Sequence, residues 1–187
     1  MDVTEATFED DVVERSRELP VVVDFWAAWC GPCRALTPVL EEQIAAREGS
    51  VALAKVDVDA NAGLAATYQV QGIPAVKAFR DGRVVSEFVG ALSPTAVSSF
   101  LDELLAPPRV AGVVEELRAS GAYPEVLEAL ETDDNERALD RILEAIANAS
   151  LEERERLREL ALAVFHDLGQ EDPLTVAYRR RLATVLY

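Results

Sequence analysis

The sequence predicts a mixed α/β sandwich followed by an all-α region, on three observations. Apolar, β-branched runs at 21–25 and 51–58 are separated by helix-forming stretches, the pattern of buried parallel strands with helical crossovers. Two further runs, 75–79 and 83–89, flank Asp81-Gly82, a turn pair that supplies positive φ angles for a hairpin. From Pro107 onward the strand signal vanishes, and four or five amphipathic helices follow. The Pro107-Pro108 pair sets the expected boundary, with domains at 1–106 and 107–187. A length of 187 residues exceeds the ~100–150 that one domain needs, so length alone leaves two small domains or one larger one open.

Each element has a local reason. Thr7-Phe8-Glu9-Asp10 reads as a capping-box-like start, with Thr7 the cap and a helix running to about Arg17. Only Met1 to Val3 precede it, which leaves room for a vestigial edge strand. Val21 to Phe25 is a central strand covered on both faces. The next helix runs from Cys33 to about Arg47, with Pro38 predicted to kink it and Gly49 to close it. Val51 to Val58 is the second buried strand, and Asn61 to Tyr68 a short helix. Ser93-Pro94 starts a helix with a cap and a proline at its first position. Asp133-Asp134-Asn135-Glu136 caps a helix with Ala138, Leu139, Ile142, Leu143 and Ile146 on one stripe. Ser150 caps the next, and Asp172-Pro173 opens the last, which is expected to end at Tyr187. On that last helix Leu174, Tyr178, Leu182 and Leu186 form an i,i+4 stripe that either packs on its own domain or faces a partner.

Composition narrows the function. The 34 acids outweigh 18 bases for a net charge of −16, which argues against nucleic acid as a partner. No apolar run approaches the ~20 residues of a membrane span, and the N-terminus has neither a basic start nor an apolar leader. A cytoplasmic location is therefore expected, and one cysteine pair fits a reducing compartment.

That pair, Cys30 and Cys33 in Trp29-Cys30-Gly31-Pro32-Cys33, holds the only cysteines of the chain. A strand precedes it and a helix follows, so Cys30 falls at a helix N-terminus, where free N–H groups and the macrodipole favour a thiolate. Only the thiolate attacks a disulfide. Pro32 suits the early helix, and Gly31 leaves the backbone open to an approaching substrate. Competing uses are poorly supported. Structural zinc wants four ligands, and the lone histidine, His166, is far away and reads as packing or surface. A c-type haem needs histidine where Arg34 stands. A permanent disulfide across two residues would remove little chain entropy. No metal is expected. Asp24 is charged at the end of an apolar strand; buried, its pKa would rise and it could exchange protons with Cys33, whereas exposed it would be an ordinary carboxylate.

The stretch from Val21 to Arg34 resembles the active-site segment of thioredoxin. Gly72-Ile73-Pro74 resembles that family's cis-proline loop, and Asp81-Gly82 with Phe88-Val89-Gly90 its last hairpin. This likeness covers about residues 1–106 and implies a thioredoxin-like mixed sheet sandwiched by helices. It also implies catalytic roles for Cys30, Cys33, Asp24 as the proton-relay acid and Lys55 as its neighbour. Pro74 would be cis against the cysteines, with the Ile73 backbone pairing an extended substrate by strand addition. Trp29, Ile73 and Gly90 would complete a substrate-binding rim around Gly31, Pro32 and Pro74. Electrons pass through sulfur, so no cofactor is implied; thioredoxin reductase or glutathione would be the donor.

The helical half lacks a clean 34-residue period and the Trp and Gly landmarks of a tetratricopeptide repeat. It nevertheless resembles the degenerate tetratricopeptide-like tail of the co-chaperedoxins, thioredoxin-fused bacterial chaperones. The likeness rests on residues 136–146, Phe165-His166-Asp167-Leu168-Gly169 and residues 172–182. It implies partners among unfolded or disulfide-bearing client proteins, and delivery to the chaperonin. Leu174, Tyr178, Arg179, Arg180, Arg181 and Leu182 would then be docking residues, although a basic run late in a terminal helix also satisfies the helix dipole. A plain reductase whose tail selects one substrate, and a non-enzymatic adaptor with a non-cycling Cys30–Cys33 bond, are the alternatives.

Overall fold

The computed structural model describes residues 1–186. It divides into two compact units, Met1–Ala106 and Pro107–Tyr187. The first unit is built on a four-stranded sheet in the order β2-β1-β3-β4, with β1 Val21–Trp26, β2 Ala52–Asp57, β3 Ala75–Arg80 and β4 Arg83–Val89. β1 runs parallel to β2 and antiparallel to β3. Helices α1 (Gly31–Ala45), α2 (Ala62–Thr67) and α3 (Pro94–Leu105) complete it.

The period-2 alternation of β1 places its side chains on opposite faces. Val21, Val23 and Phe25 join one core with Phe8, Val12, Ala54, Val56 and Phe79. Val22 joins the other, with Leu36, Leu40 and Ile44 of α1 and Val97 and Leu101 of α3. Asp24 shares the parity of Val22, so the alternation turns its carboxylate towards α1. The hairpin turns where expected: Asp81 and Gly82 have φ of 53° and 78°, both left-handed as a two-residue type I′ loop requires.

Two expectations are corrected. Thr7 is not the first cap, because the N–H groups of Thr7 and Phe8 already bond the carbonyl of Thr4. The helical turn begins at Thr4, and the Thr7 hydroxyl accepts from the Thr4 N–H, the part that Glu or Gln plays in a capping box. The segment then runs as a π-helix over Glu9–Glu14 and a 3₁₀ turn over Arg15–Arg17. The redox helix begins at Gly31, not Cys33, and continues through Pro38, whose ring lies on its exposed side. The vestigial edge is present as one parallel bridge, Asp2 to Lys55, closed by Val3 N–H on the Lys55 carbonyl at 2.9 Å and Lys55 N–H on the Met1 carbonyl at 2.8 Å.

The second unit is helical throughout its described elements: α4 Arg109–Ser120, α5 Pro124–Glu131, α6 Asn135–Asn148, α7 Leu151–Leu168 and α8 Pro173–Leu186. The caps are those expected from sequence. The Asp134 carboxylate accepts from Arg137 N–H at 3.1 Å, and Ser150 forms a reciprocal capping box with Glu153. Asp167 of α7 accepts from the N–H groups of Arg109 and Val110, satisfying the start of α4 from another helix. One core joins Leu139, Ile142 and Ile146 of α6 to Leu157, Leu160, Val164 and Phe165 of α7. Tyr178 and Leu182 belong to the same core, and Leu174 and Leu186 pack against it. The α8 stripe therefore packs on its own unit. The helix end expected at Tyr187 lies outside the described residues. No helix among the described residues is long and apolar enough to cross a membrane.

Ile142 is fully buried at the centre of this core. Ile142→Ala is expected to destabilise the helical unit by about 2–5 kcal/mol through lost burial and the cavity left behind. Denaturant unfolding followed by helix signal would measure it, and a loss below about 1 kcal/mol would contradict the packing described.

Candidate active site

The chain leaves the sheet at Trp26 and enters α1 with Cys30 as the N-cap, its backbone extended at φ −77°, ψ 105°. The Cys30 Sγ accepts a hydrogen bond from the Cys33 N–H at 3.2 Å. Gly31 and Pro32 fill the first two helical positions, where proline's missing N–H leaves no bond unmade. A Cβ on Gly31 would approach only the end of the Arg34 side chain, so the backbone here is open to a visitor. The two sulfurs are joined in a disulfide, with Cα atoms 5.3 Å apart.

The cysteines differ in access. Cys30 retains 4% exposure and Cys33 none, so an incoming sulfur meets Cys30 first. When reduced, Cys30 stands where the Cys33 N–H and the helix dipole stabilise a thiolate. Ala27 is buried with the pair, and Trp26, Val58 and Ile73 pack against it. Ile73–Pro74 is a cis peptide, and the Pro74 carbonyl accepts from Gly90 N–H at 2.8 Å. Gly90 has φ +95°, a conformation that favours glycine. Trp29 is 68% exposed, with its indole N–H donated to Asp59 Oδ2 at 2.8 Å, and Val89 is 65% exposed. Phe25, by contrast, is wholly core.

Asp24 is fully buried. Burial pushes its carboxyl from the ordinary 3.8 up to about 6; the Thr37 hydroxyl and the Lys55 charge pull it back, and Glu41 pushes it further up. Thr37 donates to Asp24 Oδ2 at 2.8 Å, while Asp24 Oδ1 has no hydrogen-bond partner. Lys55 faces Asp24 across the β1–β2 register, yet its ammonium bonds Glu41 Oε1 at 3.0 Å. It therefore acts on Asp24 through its field and not as a direct ion-pair partner. Its own pKa is raised, chiefly by that bond to Glu41. Thr37, Glu41 and Asp59 were not expected from the sequence. The signal for the first two is the i,i+4 series Cys33, Thr37, Glu41, which puts all three on one face of α1.

The residues expected to dock a partner lie in the helical unit, among its own contacts. Tyr178 donates to Asp140 Oδ1 at 2.8 Å, and Arg181 bonds the same oxygen at 2.8 Å while lying over the Tyr178 ring. Arg179 lies over the Phe165 ring, and Arg180 is exposed. His166 is partly buried, its Nδ1 3.3 Å from Asp167 Oδ1.

The thioredoxin family model matches residues 1–103, and a tetratricopeptide-repeat model matches residues 123–187. Thioredoxin of Pseudomonas aeruginosa is 42% identical over 102 residues, 54% of this chain and 93% of that protein. Thioredoxin 1 of Synechococcus elongatus is 43% identical over 103 residues, 55% of this chain and 94% of its own. Mitochondrial thioredoxin of Mus musculus is 46% identical over 98 residues, 52% of this chain and 58% of its own. These likenesses and the cysteine pair at the helix start support thiol–disulfide redox chemistry. With more than half of its length matched by the family model, the chain belongs to the thioredoxin family.

Proposed function

We propose that the protein is a thioredoxin-type co-chaperone of the co-chaperedoxin kind, which exchanges disulfides through Cys30 and Cys33 and holds unfolded clients with its helical unit. The observation that supports the redox half is the difference in access between the two cysteines at one helix N-terminus. The Cys30 thiolate attacks one sulfur of a client disulfide, forming a mixed disulfide and releasing the first client thiol. Cys33 then loses its proton to Asp24, and the new thiolate attacks Cys30 Sγ. The Cys30–client bond breaks, and its electron pair leaves on the client sulfur, which takes up a proton. The client disulfide is reduced and the protein's dithiol is oxidised to the disulfide seen here. Thioredoxin reductase or glutathione would return it to the dithiol in a cytoplasmic setting.

Client binding would follow the Ile73–Pro74 segment by strand addition, with Trp29, Val89 and Gly90 as an apolar rim. The helical unit would pass held clients to the chaperonin. One observation favours a second reading, in which the tail only selects a substrate for a plain reductase. Among the described residues, the large apolar ones it exposes are Leu151, Leu162 and Val176, while the α8 stripe is packed inward. That leaves a small surface for holding unfolded chains.

Light scattering of a heat-aggregating client separates the two. The full chain would be compared with residues 1–106, the extent that matches whole thioredoxins, both in reduced form. Suppression by the full chain alone is the expected result. Equal suppression by both, or none by either, would remove holding from the helical unit and leave a reductase with a targeting tail.

A further inference from the structure

The Thr37 hydroxyl has two acceptors within reach, Asp24 Oδ2 at 2.8 Å and the Cys33 carbonyl at 3.0 Å. A hydroxyl has one proton to donate, so only one of these bonds is fully made at a time. Which one is made depends on Asp24. An ionised carboxylate accepts hydrogen bonds more strongly than a neutral carbonyl, so it takes the proton. A protonated Asp24 is a weaker acceptor, and the hydroxyl is then free to turn to Cys33. The other Asp24 oxygen, Oδ1, is buried without a partner.

Among the described residues, no other group bonds the Asp24 carboxylate. From β2 the facing charge is Lys55, whose ammonium is bonded to Glu41. From β3 the facing residue is Val76, which is apolar. From α1 come Cys33, Thr37 and Glu41, and Glu41 repels the carboxylate.

We propose that Thr37 is a positioning residue for the exchange: by holding Oδ2 it leaves Oδ1 as the oxygen through which Asp24 accepts and returns the Cys33 proton. It also favours the charged form of Asp24, so that a base is ready when Cys33 must be deprotonated. The proton leaves the Cys33 thiol for Oδ1, the thiolate closes the bond to Cys30, and the client sulfur departs with the electron pair. On return of the proton the hydroxyl swings between its two acceptors, linking the charge of Asp24 to the backbone of the resolving cysteine. This inference rests on Asp24 being the relay acid.

A mid-helix threonine often back-bonds to the carbonyl four residues earlier, and on that alternative Thr37 would do nothing for Asp24. Carboxyl ¹³C NMR titration of Asp24 in the oxidised full-length protein decides between them, since neither cysteine titrates there. Thr37→Val removes the donor at nearly constant shape and is expected to raise the Asp24 midpoint by about one to two pH units. Thr37→Ser should restore it to within about 0.3 units of wild type, and Thr37→Ala, which removes the donor without a branched side chain, should raise the midpoint as the valine variant does. The limb of the pH–rate profile for client reduction that reports Asp24 should move with the midpoint. An unmoved midpoint in Thr37→Val and Thr37→Ala, or an equal rise in Thr37→Ser, would overturn the role of Thr37. An unchanged pH–rate profile in Asp24→Asn would instead overturn the relay itself, so the two failures are distinguishable.

Discussion

Cys30→Ser is expected to abolish reduction of client disulfides, on the order of 10³-fold or more, because a serine hydroxyl is not ionised where a thiolate would be. Cys33→Ser should fail differently. Cys30 remains able to attack, and the mixed disulfide it forms cannot be resolved from within the protein. Non-reducing gels of the purified variant mixed with a disulfide-bearing client should show a covalent adduct that thiol reductant removes. No adduct with Cys33→Ser, or full turnover with Cys30→Ser, would contradict the order of attack read from the burial of the two sulfurs. The size of the effect follows from position. The access and the N-cap position belong to Cys30, and the fully buried Cys33 is not placed to make the first attack in its stead.

Asp24→Asn should make the protein more stable at neutral pH while making it a poorer reductant. The carboxyl is held at about 6 in the folded chain against 3.8 in the open one, chiefly by burial. Between those values the folded state binds more protons than the unfolded state, so stability falls as pH rises through the window. Below about 3.8 the penalty is absent, and above about 6 it is complete, at about 3 kcal/mol. The asparagine variant keeps an acceptor for Thr37 and carries no charge to desolvate. Denaturant unfolding of the oxidised proteins should therefore show a gain of about 3 kcal/mol at neutral pH that shrinks to about 0.5 kcal/mol at about pH 4. Client reduction at neutral pH should slow by about tenfold or more as the general base is lost. An equal gain at both pH values would mean that the carboxylate is not the source of the penalty.

The redox site was largely legible because its parts lie close in sequence. The strand, the two cysteines, Gly31 and Pro32 occupy one stretch, and local rules for strands and helix starts place them. The alternation of β1 also carries Asp24 to the helix-covered face. What remained hidden was the partner set of that carboxylate. Lys55 was expected beside Asp24, and the sheet register does put it there. Its long side chain instead reaches Glu41, which lies at the exposed surface of α1, where an ion pair forms without desolvating either group deeply. Choices of this kind depend on side-chain reach after packing, and periodicity does not encode them. The start of the first turn at Thr4 was missed for a related reason: Thr4 and Thr7 both suit a helix start, and only the closing of the first turn decides between them. The stripe on α8 was plain in the sequence, but an apolar stripe shows that a face will be covered and not by what. Here Leu139, Ile142 and Phe165 belong to the core that covers it.

The confinement of every strand pairing and every sheet-facing core to residues before Pro107 has a consequence during synthesis. At about 5–20 residues per second, the 81 residues from Pro107 to Tyr187 take about 4–16 s to translate. The redox unit can close its sheet while the helices behind it are still emerging from the ribosome. The nascent chain would then hold a finished disulfide-exchange centre before its helical unit has folded.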